Sequence, residues 1–339
     1  MKPRELGEFG MIRRIAAHLT PAGPEAVGIG DDCAVIHRAG ADSLLLTTDL
    51  LVERIHFLPG ADPLLLGRKA MAVNISDIAA MGGIPCWALI SIALPPNLEV
   101  AYIDALYEGI NQVGDEFTTT VVGGDTTASK QDLMISVTLA GECPRGQVLL
   151  RSGARPGDLV MVTGPVGSSA AGLRLLLDGD KEALADFPRL VAAHLDPTPE
   201  VRAGRIIAAS GQATAMIDVS DGVMADLGHI CEQSGTGARI DAAAIPIHQD
   251  CRIAARRLHL EPLHWALSGG EDYRLLCTID PAGANDLGER LRGAGCPPPA
   301  VIGVIIAEPR LLVIDHEGRP LDVVDRGWDH FSPAREGCP

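Results

Sequence analysis

Residues 214–230 read TAMIDVSDGVMADLGHI, and the order of residue types there decides the fold class. Residues 214–217 form a short strand-type run. Asp218-Val219-Ser220-Asp221-Gly222 follows, built of small and turn-forming residues. A helix is then expected to run to about Ser234. A strand that ends in an acidic turn and passes into a helix is a repeating unit of α/β proteins, which bind ligands beyond the carboxyl ends of their strands.

The same alternation extends in both directions. Residues 159–163 read as a short strand, 164–167 as a tight turn, and Ser168 opens a helix. Before them stands RSGARPGD (151–158), a Gly- and Pro-bearing joint that marks a domain boundary. Further upstream, 7–19 read as an amphipathic helix and 43–48 as a strand ending in Asp49. Residues 63–82 read as a helix carrying Asn74, Ser76 and Asp77, 87–94 as an apolar strand, and 99–117 as another helix. Residues 133–140 alternate: Leu133, Ile135, Val137 and Leu139 share one face, and Met134, Ser136, Thr138 and Ala140 the other. Downstream, 272–279, 300–305 and Leu311–Ile314 read as strands, and Glu317-Gly318 as a hairpin turn. The expectation is an α/β (α+β) chain of two domains, 1–150 and 151–339. A length of 339 residues agrees, since single domains run to roughly 100–200.

Hydrophobic residues make up 47% and aromatics only 3%, so Ala, Leu, Ile and Val must fill the cores, as in helices packed on sheets. The formal net charge of −16 and the lack of any basic run exclude a nucleic-acid partner. None of the eight cysteines forms a C-x-x-C pair, and several stand in apolar segments, the pattern of buried thiols in a reducing compartment. Residues 1–9 carry no apolar leader core, and the apolar run at 84–96 is interrupted by prolines and too short for a bilayer. The expectation is a cytoplasmic enzyme with no membrane partner.

Common catalytic signatures are missing. There is no G-x-x-x-x-G-K-[ST], and Gly67-Arg68-Lys69 lacks the remainder of it. There is no H-E-x-x-H, and Gly167-Ser168-Ser169 reads as a helix start rather than a nucleophile elbow. What recurs instead is aspartate among small residues: Gly30-Asp31-Asp32, Thr47-Thr48-Asp49, Asn74-Ile75-Ser76-Asp77, Gly124-Asp125-Thr126-Thr127 and Asp218 to Gly222, with Gly269-Gly270-Glu271-Asp272 adding a glutamate. Any one of these could be a helix cap or an Asx turn. Gathered together they would repel one another unless cations neutralise them. An all-oxygen donor set favours Mg²⁺ or Ca²⁺, and acid-rich Mg²⁺ sites usually serve phosphate chemistry. The residues themselves therefore reach a Mg²⁺–polyphosphate enzyme of unspecified substrate.

Eight blocks narrow this: GIGDDCAV (28–35), TTDLLVERIHF (47–57), KAMAVNISDIAAMGG (69–83), VGGDTT (122–127), RSGA (151–154), IDVSDGVMADLGHI (217–230), WALSGGEDYRLL (265–276) and GWDHF (327–331). In this order and spacing they resemble the thiamine-monophosphate kinases of the aminoimidazole ribonucleotide synthetase superfamily. The resemblance implies ATP-dependent phosphorylation of thiamine monophosphate to thiamine diphosphate. It also implies several Mg²⁺ ions held by Asp32, Thr47, Thr48, Asp49, Asp77, Asp125, Asp218 and Asp221. ATP contacts would come from Tyr107, Gly124, Asp125, Arg151 and Ser220, and substrate contacts from His56, Glu271 and Trp328, whose ring could stack on the cationic thiazolium. In fold it implies an N-terminal mixed sheet with helices that pairs with a second copy into a barrel-like homodimer core, and a C-terminal α/β domain completing the nucleotide and substrate site. No catalytic base or nucleophile is needed, because the acceptor is a phosphate monoester with a second pKa of about 6. Two other readings stand beside it. One is a hydrogenase-maturation type of the same superfamily, which ends in a reactive cysteine, as Cys338 nearly does. The other is a non-catalytic Ca²⁺- or nucleotide-binding module.

Overall fold

The computed structural model describes residues 2–323, 327, 328 and 331. Its first half comprises helix α1 (Gly7–Ala16), strands β1 (Ala26–Val27), β2 (Ala34–Ile36) and β3 (Ser43–Val52), helix α2 (Pro63–Ala80), strand β4 (Ile84–Leu94), helix α3 (Val100–Phe117), and strands β5 (Thr120–Ala128) and β6 (Met134–Cys143). Its six strands form one mixed sheet in the order β1-β2-β3-β6-β4-β5, parallel only between β4 and β5. The alternation read in 133–140 holds: Leu133, Ile135, Val137 and Leu139 are buried against the helices. The opposite sheet face is open, and Leu50, Trp87, Leu89 and Val122 are exposed.

Helices α2 and α3 cover the inner face. They approach so closely that a Cβ on Gly67 would lie 2.0 Å from the Leu106 carbonyl oxygen, and one on Gly109 2.0 Å from that of Leu64. Glycine at both positions lets the two backbones meet. Asp62 caps α2, accepting from Leu65 N at 3.1 Å, and Pro63 occupies the first helical position. Thirteen of the helix's 18 residues are buried, because its far side packs on the second half.

That second half comprises β7 (Leu159–Val162), α4 (Ser168–Asp178), α5 (Lys181–Asp186), α6 (Pro188–Leu195), α7 (Val201–Ser210), β8 (Ala213–Asp218), α8 (Val223–Ser234), β9 (Gly237–Asp241), α9 (Gln249–Arg257), α10 (Pro262–Ser268), β10 (Leu275–Ile279), α11 (Ala284–Gly293), β11 (Ala300–Ile306), β12 (Leu311–Ile314) and β13 (Pro320–Leu321). The strands form a second mixed sheet, β13-β12-β9-β11-β7-β10-β8. Ala79 and Ala80 of α2 join Ala203 and Ile207 of α7 in a core between the halves. No helix among the described residues is long and apolar enough to cross a membrane.

Some details differ from the sequence reading. Asp125 lies inside a regular strand, β5, not in a turn, and β3 runs on past Asp49 to Val52. The strand expected from 272 begins at Leu275, because Glu271 and Tyr273 adopt positive φ (65° and 50°) and break the extended run.

Candidate active site

A cavity of about 1470 Å³ opens between the two halves. Asp31, Asp32, Thr47, Thr48, Asp49, His56, Asp77, Arg151, Ser220, Asp221, Glu271 and Trp328 all line it, although they come from every part of the chain. The alternation of β3 turns Thr47 inward, where its hydroxyl donates to the Asp77 carboxylate. Thr48 points to the opposite face, where its hydroxyl lies 3.1 Å from that of Thr138. Asn74 Oδ1 accepts from Asp49 N at 3.0 Å, and Asn74 Nδ2 donates to Ala70 O, so α2 fixes the part of β3 that carries Asp49.

On the other wall, β8 delivers Asp218, whose carboxylate accepts the Ser76 hydroxyl from α2. The turn after it reverses at Gly222 (φ 115°), and buried Asp226 secures it by accepting from Gly222 N at 3.0 Å and Asp221 N at 3.3 Å. Asp32 is clamped by Arg151, with Nη2 at 2.6 Å and Nε at 3.2 Å from Oδ1. The neighbouring Asp31 accepts from the Arg151 backbone N–H at 3.1 Å.

One carboxylate oxygen each from Asp32, Asp77 and Asp218 lie within 4.8 Å of one another. Burial, aided by the Asp32 charge, raises Asp31 to about 7, Asp218 to about 8 and Asp49 to about 6. Burial, with the charges of Asp49, Asp218 and Asp32, raises Asp77 well above its ordinary value. Asp32 Oδ2 is buried with no hydrogen-bond partner among the described residues. A cluster of hard oxygen donors at mutual repulsion, with one orphaned oxygen, suits a divalent cation such as Mg²⁺.

Glu271 is held differently. Its oxygens lie 2.8 and 2.9 Å from Lys69 Nζ, and Oε2 lies 3.0 Å from His194 Nδ1. His56 Nδ1 accepts from Val52 N at 3.0 Å, and Trp328 N donates to Asp221 O at 3.1 Å, which seats the indole at the cavity rim. Gly124, Asp125 and Tyr107 are not brought to the cavity of the single chain. Gly124 and Asp125 lie on the exposed edge strand β5, where a Cβ on Gly124 would meet Ile90 O at 1.8 Å, and Tyr107 packs on the first core. Asp329 and His330 of the GWDHF block, and Cys338, lie outside the described residues.

Sequence reasoning named Asp31 among the aspartates without giving it a role, and passed over Lys69, His194 and Asp226. Asp226 carried a signal, since a carboxylate four residues after a helix-opening glycine can reach back to its N–H. Lys69 carried a weaker one, as a lone charge in an apolar helical run. His194 carried none.

This two-sheet architecture around an acidic cleft defines an AIR synthase-related protein. Residues 30–143 match the family model for the N-terminal domain of AIR synthase related proteins, and 155–316 that for the C-terminal domain. Within that class, the chain belongs to the thiamine-monophosphate kinase family. It is 38% identical to the thiamine-monophosphate kinase of Escherichia coli K12 over 331 residues, 96% of this chain and 98% of that one. It is 41% identical to the Aquifex aeolicus enzyme over 279 residues, 82% and 87% of the two chains. A solved structure described as AaThiL complexed with AMPPCP and TMP superposes with a TM-score of 0.85 at 36% identity, covering 97% of this chain and 99% of that one. The hydrogenase maturation protein HypE of E. coli shares the fold, with a TM-score of 0.70, but at 20% identity and 84% and 87% coverage.

Proposed function

We propose that this chain transfers the γ-phosphoryl group of ATP to thiamine monophosphate, giving thiamine diphosphate and ADP. The observation that carries this reading is the triad of carboxylates from both halves meeting at the wall of one large cleft, which Asp32 and Asp77 line with Asp218 buried behind them, in a chain of this family.

The chemistry asks little covalent work of the protein. An oxygen of the acceptor phosphate bonds to the γ-phosphorus while the bond to the leaving ADP oxygen breaks. The acceptor is already largely dianionic near neutral pH, with a second pKa of about 6, so no side chain need act as base. The difficulty is repulsion between two polyanions. When bound, Mg²⁺ ions supply charge neutralisation and alignment for in-line transfer. Asp32, Asp49, Asp77, Asp218 and Asp221 would hold them, with oxygens of Thr47 and Thr48. The Thr48 hydroxyl is engaged with Thr138, so its backbone is the available donor. Arg151, fixed against Asp32, presents a guanidinium to the ATP phosphates, and Ser220 lines the same cavity. His56, Glu271 and Trp328 line the same cavity and take the acceptor.

The assembly is a homodimer in this reading. The open face of the first sheet, with Trp87, Leu89, Leu50 and Val122 exposed, supports a second copy stacked there. Tyr107, Gly124 and Asp125, remote from the cavity of their own chain, would then serve a site completed by assembly. Buried thiols such as Cys143, Cys251 and Cys277, each raised to about 11–12 by desolvation, support a reducing, cytoplasmic setting.

Incubation with ATP, MgCl₂ and thiamine monophosphate should yield thiamine diphosphate and ADP in equal amounts. ATP bound tightly and recovered unchanged, with no product, would instead identify a binding module.

A further inference from the structure

Lys69 is a lysine in the wrong place for a surface charge. It stands on α2, 2% exposed, with Ala70, Met71 and Ala72 buried beside it. Its ammonium reaches across the interface between the halves to both oxygens of Glu271, 2.8 and 2.9 Å away. His194 of α6 approaches the same carboxylate at 3.0 Å, and its Nδ1 lies 3.1 Å from the hydroxyl of buried Ser169 on α4. Burying such ions is expensive unless they are closely paired, and replacing the pair by apolar groups is often neutral or stabilising. A pair whose ammonium is buried and whose carboxylate, 25% exposed, sits on a cavity lining therefore points to a task beyond stability.

The backbone points the same way. Glu271 holds φ at 65°, a left-handed conformation unfavourable to a side-chain-bearing residue, directly after Gly269-Gly270. Its N–H donates to Ser220 O at 2.7 Å, so the segment is anchored to the acidic turn. The clamp draws the carboxylate toward α2 and α6 while the rest of the residue stays on the lining. Charge gives the reason. Glu271 lines the same cavity as Asp49 and Asp77, and its N–H is tied to Ser220, two residues from Asp218. An uncompensated carboxylate there would repel an incoming phosphate and compete for the cations. With Lys69 against it, the pair is neutral overall, and the carboxylate keeps acceptor capacity for an N–H donor.

Resting on the kinase reading above, we propose that Lys69 and His194 are positioning residues for the acceptor substrate. They hold Glu271 across the inter-domain cleft with its charge cancelled, so that it accepts a hydrogen bond from the substrate's aminopyrimidine without opposing the substrate's phosphate. Neither residue touches the reacting atoms.

The test is a KM split in the full-length protein. Lys69→Met, close in shape and uncharged, should raise KM for thiamine monophosphate about tenfold or more and change KM for ATP less than about threefold. His194→Gln should move the same parameter in the same direction by a smaller factor. Because Lys69→Met leaves Glu271 without its cation and can lower Tm, both KM values are measured well below the variant's Tm. A structural tie alone predicts that the two KM values rise together, and that result overturns the proposal. So does a Lys69→Met enzyme whose two KM values match wild type, and that outcome leaves the kinase reading standing. Wild-type protein that neither binds nor phosphorylates thiamine monophosphate overturns both.

Discussion

The hydroxyl of Ser76 donates to the carboxylate of Asp218, joining α2 of the first half to the end of β8 in the second. Both groups are almost fully buried, Ser76 at 0% and Asp218 at 1% exposure. Ser76→Ala should lower unfolding free energy by about 1–3 kcal/mol, the usual result of leaving a buried acceptor unmet. It should also weaken Mg²⁺ binding, since Asp218 loses the contact that aims it. Thermal melts and a Mg²⁺ titration check both. An unchanged melt with an unchanged titration would remove Ser76 from the site.

The acidic cluster makes a linked prediction about protons. Carboxyls raised on folding (Asp49 to about 6, Asp218 to about 8) hold more protons in the native than in the unfolded chain. Their contribution to stability is present below the unfolded value near 4 and is lost as pH rises through 6–8. EDTA-treated protein should therefore lose stability across that window, with Mg²⁺ restoring it, so the gap in Tm with and without metal widens from pH 5 to 8. Mg²⁺ binding near pH 6.5 should release protons, seen as a binding heat that varies with the buffer's ionisation heat. Asp77→Asn should abolish turnover while the circular dichroism stays native. Near-wild-type rates at saturating Mg²⁺ would exclude Asp77 as a ligand.

His229 gives the opposite acid limb. Its ring lies 4.2 Å from that of Phe9, its Nε2 has no partner among the described residues, and burial with the nearby Arg151 and Arg13 charges lowers it to about 4. The folded chain then binds fewer protons than the unfolded one between pH 6.5 and 4, and stability falls as pH drops through that range. The ceiling on this loss is about 3 kcal/mol. Urea unfolding at pH 7 and pH 5 should show a smaller drop in His229→Gln than in wild type.

How far the sequence carried the site follows from which interactions are local. Asp218 to Gly222 was readable because strand end, turn and helix start are contiguous. The alternation at 133–140 was readable because each residue's face follows from its neighbours. Lys69 and Glu271 are 202 positions apart, and no periodicity links them. Asp125 looked like its fellow aspartates in a small-residue block, yet β5 carries it to a sheet edge. Composition cannot separate a glycine that frees a loop from one, such as Gly124, that lets two strands touch.

The reciprocal glycines between α2 and α3 predict stability in a more ordinary way. Gly67→Ala or Gly109→Ala would drive a methyl into a backbone carbonyl that has no rotamer to escape by. Each should cost about 1–3 kcal/mol or more and lower the soluble yield. Because α2 carries Asp77, Ser76 and Lys69, activity should fall further than the melt alone accounts for.

Leu89→Lys tests the open sheet face. Leu89 is 45% exposed and lies between Trp87 and Ser91 on β4. A charge there should shift sedimentation from dimer to monomer. A wild type that sediments as a monomer at micromolar concentration would end the idea.

Asp32, Asp49 and Asp77 belong to the first half of the chain and Asp218 to the second, so a cation bound among them is fastened to both. Such an ion would act as a rivet on a joint that is already glued. The halves share an apolar core through Ala79, Ala80, Ala203 and Ile207, so the metal would set the alignment of the two walls rather than hold them together.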